Sequence, residues 1–84
     1  MSTQSARIWV DGAETHIDVR GLDPPEPMVA ILSLLEDPDT IAPVIVHHDR
    51  DPQLLYPELA ERGWDYEFDA KEPGYVRLRL ARQS

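Results

Sequence analysis

Eighty-four residues with 16 acidic side chains against 8 basic ones carry a formal net charge of −8, and there is no cysteine. A chain of this length makes one thin-cored domain that buries only roughly 60 to 65 % of its unfolded surface. The acidity works against phosphate-rich nucleic acids, and the missing cysteines remove disulfides, zinc–thiolate sites, persulfides and thiol nucleophiles together.

The first residues, "MSTQSARIWV", lack the basic start and apolar core of a signal peptide. Residues 1–5 are expected to be a disordered tail to a single domain over residues 1–84. "ARIWV", "DGAE" and "THIDV" then read as strand, turn and strand, with Asp11-Gly12 supplying residues that tolerate positive φ. Ile8 and Val10 would share a face with Ile17 and Val19, turned toward the helices. Alternation puts Trp9 on the open face beside Arg7 and near His16. Trp9 and His16 are therefore candidate interaction residues, the competing reading being that the indole is covered by cross-strand packing on His16 or by the tail.

The stretch "RGLDPPEP" leads into "MVAILSLLE", where Met28, Ile31, Leu32 and Leu35 recur on one helix face and Pro38 stops the run. Proline loses little in the first turn of a helix, where backbone donors have no intrahelical partner, so Pro25 and Pro27 suit a rigid start. Asp23 and Glu26 are spaced as a capping box if Pro24 is the first helical residue; if Pro25 is first, Pro24 is the cap. The longest nearly apolar stretch, Met28 to Leu35, falls far short of the ~20 residues that span a bilayer. A cytoplasmic location with no membrane partner is expected.

"APVIV" is a short β-branched run suited to a covered central strand, followed by polar "HHDRD". His47 and His48 at its end are candidate metal or haem ligands, with His16, Asp49 and Asp51 as further donors. Adjacent strand residues point to opposite faces, however, and no recognised ligand spacing is present; exposed or hydrogen-bonded histidines are the competing reading. Asp51 before Pro52 resembles an N-cap before a proline at the first helical position, and Gly63 after "ELAER" suits a helix end. In a helix beginning at Pro52, Pro57 implies either a kink or a short first turn followed by a second start.

The last third alternates, with Trp64, Tyr66 and Phe68 against Asp65, Glu67 and Asp69, then Val76, Leu78 and Leu80 against Tyr75, Arg77 and Arg79. The five residues "AKEPG" can close these strands as a hairpin, with Glu67 opposite Arg77 and Asp65 opposite Arg79. No serine lies in a nucleophile-elbow context, and the acidic groups lack the spacing of a calcium loop. No catalytic residue and no cofactor is assigned, and the reading is not an enzyme.

"IDVRGLDPPEP", a helix, a strand ending at Asp51-Pro52, a second helix ending in "ERGW" and a final strand pair resemble the small sulfur carriers of the TusA/SirA family, whose signature is Arg-Gly-Leu-x-Cys-Pro-x-Pro. Arg20, Gly21, Leu22, Pro25 and Pro27 fit the signature, and Pro24 stands at the cysteine position. The resemblance implies an α/β two-layer sandwich, β-α-β-α-β-β with an extra N-terminal strand and two helices on one face of a mixed sheet. In that family the thiol sits at a helix N-terminus, where the dipole favours the thiolate; Pro24 offers no nucleophile. The resemblance therefore points to cysteine-less bacterial relatives, sometimes joined to or encoded near hemerythrin-like domains. The expected function is a non-catalytic protein-interaction or regulatory module whose partner is another protein. The alternative is a small-ligand or metal/haem-binding domain using His47, His48 or the N-terminus of the first helix.

Overall fold

The computed structural model describes residues 6–83, so the expectation of a disordered tail at 1–5 lies outside the described residues. The elements are β1 (Arg7–Asp11), β2 (Glu14–Asp18), α1 (Glu26–Glu36), β3 (Val44–His48), α2 (Leu55–Glu61), β4 (Trp64–Glu72) and β5 (Tyr75–Arg82). They build one open five-stranded sheet in the order β1-β2-β3-β5-β4. β2 and β3 run parallel, joined through α1, and every other neighbouring pair is antiparallel. Both helices pack on one face, as the two-layer sandwich requires.

Strand alternation decides the core. Ile17, Val44, Val46, Val76, Leu78 and Leu80 leave the sheet on the helix side and meet Ile31 and Leu35 of α1 and Leu55 and Leu59 of α2. In α1, Pro27, Ile31 and Leu35 are the buried stripe, spaced one turn apart. Each fully buried Leu or Ile contributes about 1.5–3 kcal/mol relative to exposure.

The proline cluster starts α1 in neither of the two expected ways. Pro25 itself occupies the N-cap position without a side-chain cap bond, Glu26 is the first helical residue, and the Glu26 N–H donates to the Asp23 carbonyl at 2.9 Å. Pro27 falls second, where its missing N–H leaves no helical carbonyl unpaired. In α2 the turn at Pro52–Leu54 precedes the helix, which begins at Leu55. Of the two expected alternatives this is the short turn followed by a second start, with Pro57 in the first turn of α2 and no kink. Asp51 does not cap; its carboxylate accepts from the Tyr56 hydroxyl and from Lys71 Nζ at 3.3 Å. Gly63 ends α2 at φ +77°, a conformation that any Cβ would strain.

The β4–β5 register departs from the expected one by two residues. Glu67 faces Arg79 and Asp65 faces Ala81, while a bulge between Phe68 and Ala70 leaves Asp69 unpaired and sets Ala70 opposite Arg77. A two-residue slip preserves parity, so Trp64, Tyr66 and Phe68 still share the helix side with Leu78 and Leu80. The arginines find other acids: Arg79 Nη1 reaches Glu14 Oε2 at 2.8 Å, across β3, and Arg77 Nε lies 4.0 Å from Asp69. Ile45, the apolar residue of β3 on the open face, is buried. Ile8 and Val10 take the helix side as expected, with Ile8 opposite Ile17, but the helices do not cover them: they remain 54 % and 58 % exposed.

Candidate functional site

Two groups of side chains stand out, one on each face of the sheet, and the adjacent residues His47 and His48 divide between them. The open face gathers one ring from each of four neighbouring strands: Trp9 on β1, His16 on β2, His47 on β3 and Tyr75 on β5. Trp9 pairs with His16 across the β1–β2 hairpin, and the parallel register offsets His47 by two residues from its strand neighbour Ile45, which faces His16.

The His16 and His47 rings lie edge to edge. His16 Nδ1 is 3.0 Å from His47 Nε2, the centroids are 5.3 Å apart and the planes differ by 16°. The Trp9 indole lies nearly parallel to both, its centroid 5.1 Å from His16 and 5.5 Å from His47. His47 Nδ1 is 2.9 Å from the Tyr75 hydroxyl. A guanidinium closes each end of the row, Arg7 5.9 Å from the Trp9 centroid and Arg20 5.5 Å from that of Tyr75.

The chain of ring nitrogens has a preferred direction. His16 Nε2 is buried without a hydrogen-bond partner among the described residues and faces Glu14 Oε1 at 3.7 Å. An N–H there is attracted to the carboxylate, whereas a lone pair is repelled. With that proton on Nε2, His16 Nδ1 accepts from His47 Nε2–H, and His47 Nδ1 accepts from the Tyr75 hydroxyl. The N···N bond needs one lone pair, so the two imidazoles hold at most one extra proton between them without breaking it. Burial first, then the neighbouring His16, pushes the His47 pKa below its ordinary value, with Asp18 opposing. Asp18 is held low chiefly by its hydrogen bonds from Arg20.

On the helix face, a mostly apolar recess of about 340 Å³ opens between the start of α1 and the start of α2, lined by Pro24, Pro25, Met28, Pro52, Leu55 and His48 among others. His48 is only 4 % exposed. Its Nδ1 faces the backbone N–H of Asp49 at 2.9 Å and of Arg50 at 3.3 Å, two donors that favour a lone pair there and the proton on Nε2, against the opposite pull of Asp49 Oδ1 at 3.1 Å. Burial pushes its pKa down despite Asp49 beside it. Nε2 has no hydrogen-bond partner among the described residues, and the ring contributes to the wall of the recess.

The segment Arg20–Pro27 joins the two faces. Arg20 forks onto Asp18, with Nη2–Oδ2 at 2.8 Å. Gly21, at φ +83°, donates its N–H to Asp49 Oδ2 at 3.3 Å, a backbone shape suited to glycine. Leu22 enters the core, Pro24 and Pro25 wall the recess, and Pro27 is buried in α1. The candidate donors His16, His47, His48, Asp49 and Asp51 do not converge: the first two bond to one another on the open face, and the others lie by the recess and its loop. Among the described residues no group of three or more His, Cys, Asp or Glu is placed to hold a metal ion. Tyr75, Glu14 and Asp18 belong to the open-face group without having been singled out as site residues. Alternation places all three on that face, but only the strand order brings them together.

No helix among the described residues is long and apolar enough to cross a membrane. No curated protein and no solved structure matches the chain. The model of a family described as "Uncharacterized conserved protein (DUF2249)" matches residues 16–82, from within β2 to the end of β5, and the chain belongs to that family.

Proposed function

We propose that this domain is a non-catalytic protein-interaction or regulatory module, built on a sulfur-carrier-like scaffold of the TusA/SirA type but without its thiol, that receives another protein on the open face of its sheet. The observation that carries this reading is the row Trp9–His16–His47–Tyr75, half-buried except for the exposed Trp9, with an arginine at each end and no helix over it among the described residues. Tryptophan, tyrosine and arginine are the residues in which interfaces concentrate their energy. Trp9 is 38 % exposed on a face with no helix over it, so its removal should leave the core intact. In the test, wild-type protein and Trp9→Ala are used as baits in lysate of the host. A specific partner retained by wild type and lost from the variant, whose melting temperature barely moves, supports the reading. A variant that unfolds, or that keeps the partner, overturns it.

Sulfur transfer is excluded from the proposal because Pro24 stands at the position of the carrier thiol and no cysteine occurs elsewhere. Incubation with a cysteine desulfurase and labelled cysteine should leave the protein unlabelled.

A second reading, a small-ligand site in the recess at the start of α1, is favoured by His48 in its mostly apolar wall, whose Nε2 has no hydrogen-bond partner among the described residues. It suits a molecule with an apolar body and a hydrogen-bond acceptor. Native mass spectrometry of protein purified from its host should then show a bound small molecule that His48→Phe fails to retain.

A further inference from the structure

We propose that β1 pairs antiparallel with β1 of a second copy of this chain, centred on Trp9, so that two five-stranded sheets join edge to edge. Among the described residues no strand pairs with the outer edge of β1. The direction of its free backbone groups follows from its neighbour. The Thr15 N–H donates to Pro43 O at 3.1 Å and the Val19 N–H to His47 O at 3.0 Å, so the odd residues of β2 direct their N–H groups toward β3 and the even ones toward β1. Glu14, His16 and Asp18 face Asp11, Trp9 and Arg7. The N–H and C=O groups of Ile8 and Val10 therefore point outward and have no partner among the described residues.

An antiparallel strand centred on Trp9 sets Ile8 opposite Val10 of the second copy and Val10 opposite Ile8. Both are hydrogen-bonded positions, so the outward groups of all four residues are satisfied at once. Trp9 meets its own copy at the position between them, where the side chains approach most closely. The same register sets Arg7 opposite Asp11 of the second copy and Asp11 opposite Arg7. The sequence Arg7-Ile8-Trp9-Val10-Asp11 is thus complementary to itself in charge and in apolar character about one two-fold axis, as an isologous interface requires. Ile8 and Val10, more than half exposed in one copy, would lie against their counterparts. Centring on Ile8 or Val10 instead leaves both ion pairs unmade.

One five-residue ladder is a small interface, so the dimer should be weak and concentration-dependent. It leaves the open face uncovered and joins the ring rows of two copies at Trp9. It does not depend on a protein partner at that face.

Sedimentation equilibrium from about 10 μM to about 1 mM, the range of small interfaces, tests the proposal. Wild-type protein should dimerise reversibly. Arg7→Asp or Asp11→Arg alone should weaken the dimer by about tenfold, because the two-fold axis converts both ion pairs into like-charge contacts. The double variant Arg7→Asp with Asp11→Arg should restore the dimer, since the palindrome survives the exchange. Val10→Pro removes an outward N–H that no intramolecular bond uses and should abolish dimerisation with the circular dichroism spectrum retained. A chain that stays monomeric throughout, a dimer indifferent to the single reversals, a double variant that fails to recover, or a β1 edge occupied only by a different protein each overturns it.

Discussion

β1 and β4 are the two edges of the same sheet, and they are guarded in opposite ways. β4 carries Asp65, Glu67, Asp69, Lys71 and Glu72, is broken by a bulge after Phe68, and is partly roofed by α2, where Tyr56 stacks on Tyr66 at 3.9 Å. Charge, a bulge and a covering helix are the devices that discourage another strand from adding to an edge. β1 has none of them over its three central residues Ile8, Trp9 and Val10. It also lies outside the residues matched by the family model, which begin at His16. An edge left open beside one so closely guarded reads as a surface reserved for pairing.

Truncation near β4 should accordingly destabilise the monomer and truncation on β1 should not. The largest effect is expected at Trp64, 3 % exposed at the start of β4, where Trp64→Ala should cost about 3–5 kcal/mol in urea unfolding. Tyr56→Phe keeps the stack on Tyr66 but removes the hydroxyl from Asp51; a loss of about 1–2 kcal/mol is expected, and no loss would mean that this bond does not anchor α2.

The histidines that end β3 and two hydrogen-bonded aspartates should make stability depend on pH. His47 and His48 have folded-state pKa values below the ordinary 6.5, so the unfolded chain takes up protons first as pH falls. Their contribution to stability is complete above 6.5 and is lost as pH falls through the depressed folded values. Asp18 and Asp51, held below 3.8 chiefly by Arg20 and Tyr56 respectively, add a second loss below that pH. Unfolding midpoints followed from pH 8 downward should show these two steps in that order. His48→Phe, which removes one of the imidazoles, should make the first one shallower. The smallest effect is expected for Ile8→Thr, under about 0.5 kcal/mol at concentrations where the protein is monomeric.

Much of this arrangement was legible in the sequence because it rests on local chemistry. The turn signal "DGAE" marked the hairpin, although of Asp11-Gly12 only Gly12 takes positive φ and Asp11 stays in β1; the apolar spacing after Met28 located α1, and alternation separated the faces of both terminal strands. Opposite facing of His47 and His48 followed from the same rule. The register of β4 on β5 did not: the strands run on to a two-residue turn at Pro73-Gly74 and a bulge at Asp69 takes one residue back, so the pairing beyond the bulge ends two residues from the expected one with parity unchanged, and nothing in "EFDAK" marks the bulge. The start of α2 was misplaced because Asp51 looks like a cap but is engaged by Tyr56 and Lys71, the latter from β4. The ring row was half legible: Trp9 beside His16 is a hairpin neighbour, whereas His47 and Tyr75 join it only through a strand order set by the whole fold.

The indole lying over two linked imidazoles also makes the domain an optical indicator of its own charge state. Excited indole gives up an electron readily to imidazolium and poorly to neutral imidazole. Trp9 emission should therefore dim as His47 takes up a proton. Trp64, the other tryptophan, lies buried with the Arg82 guanidinium 4.9 Å from its centroid, away from both rings, and supplies a steady background. Steady-state fluorescence of the unlabelled protein would then read both the proton held on the open face and any molecule that settles there and changes its affinity.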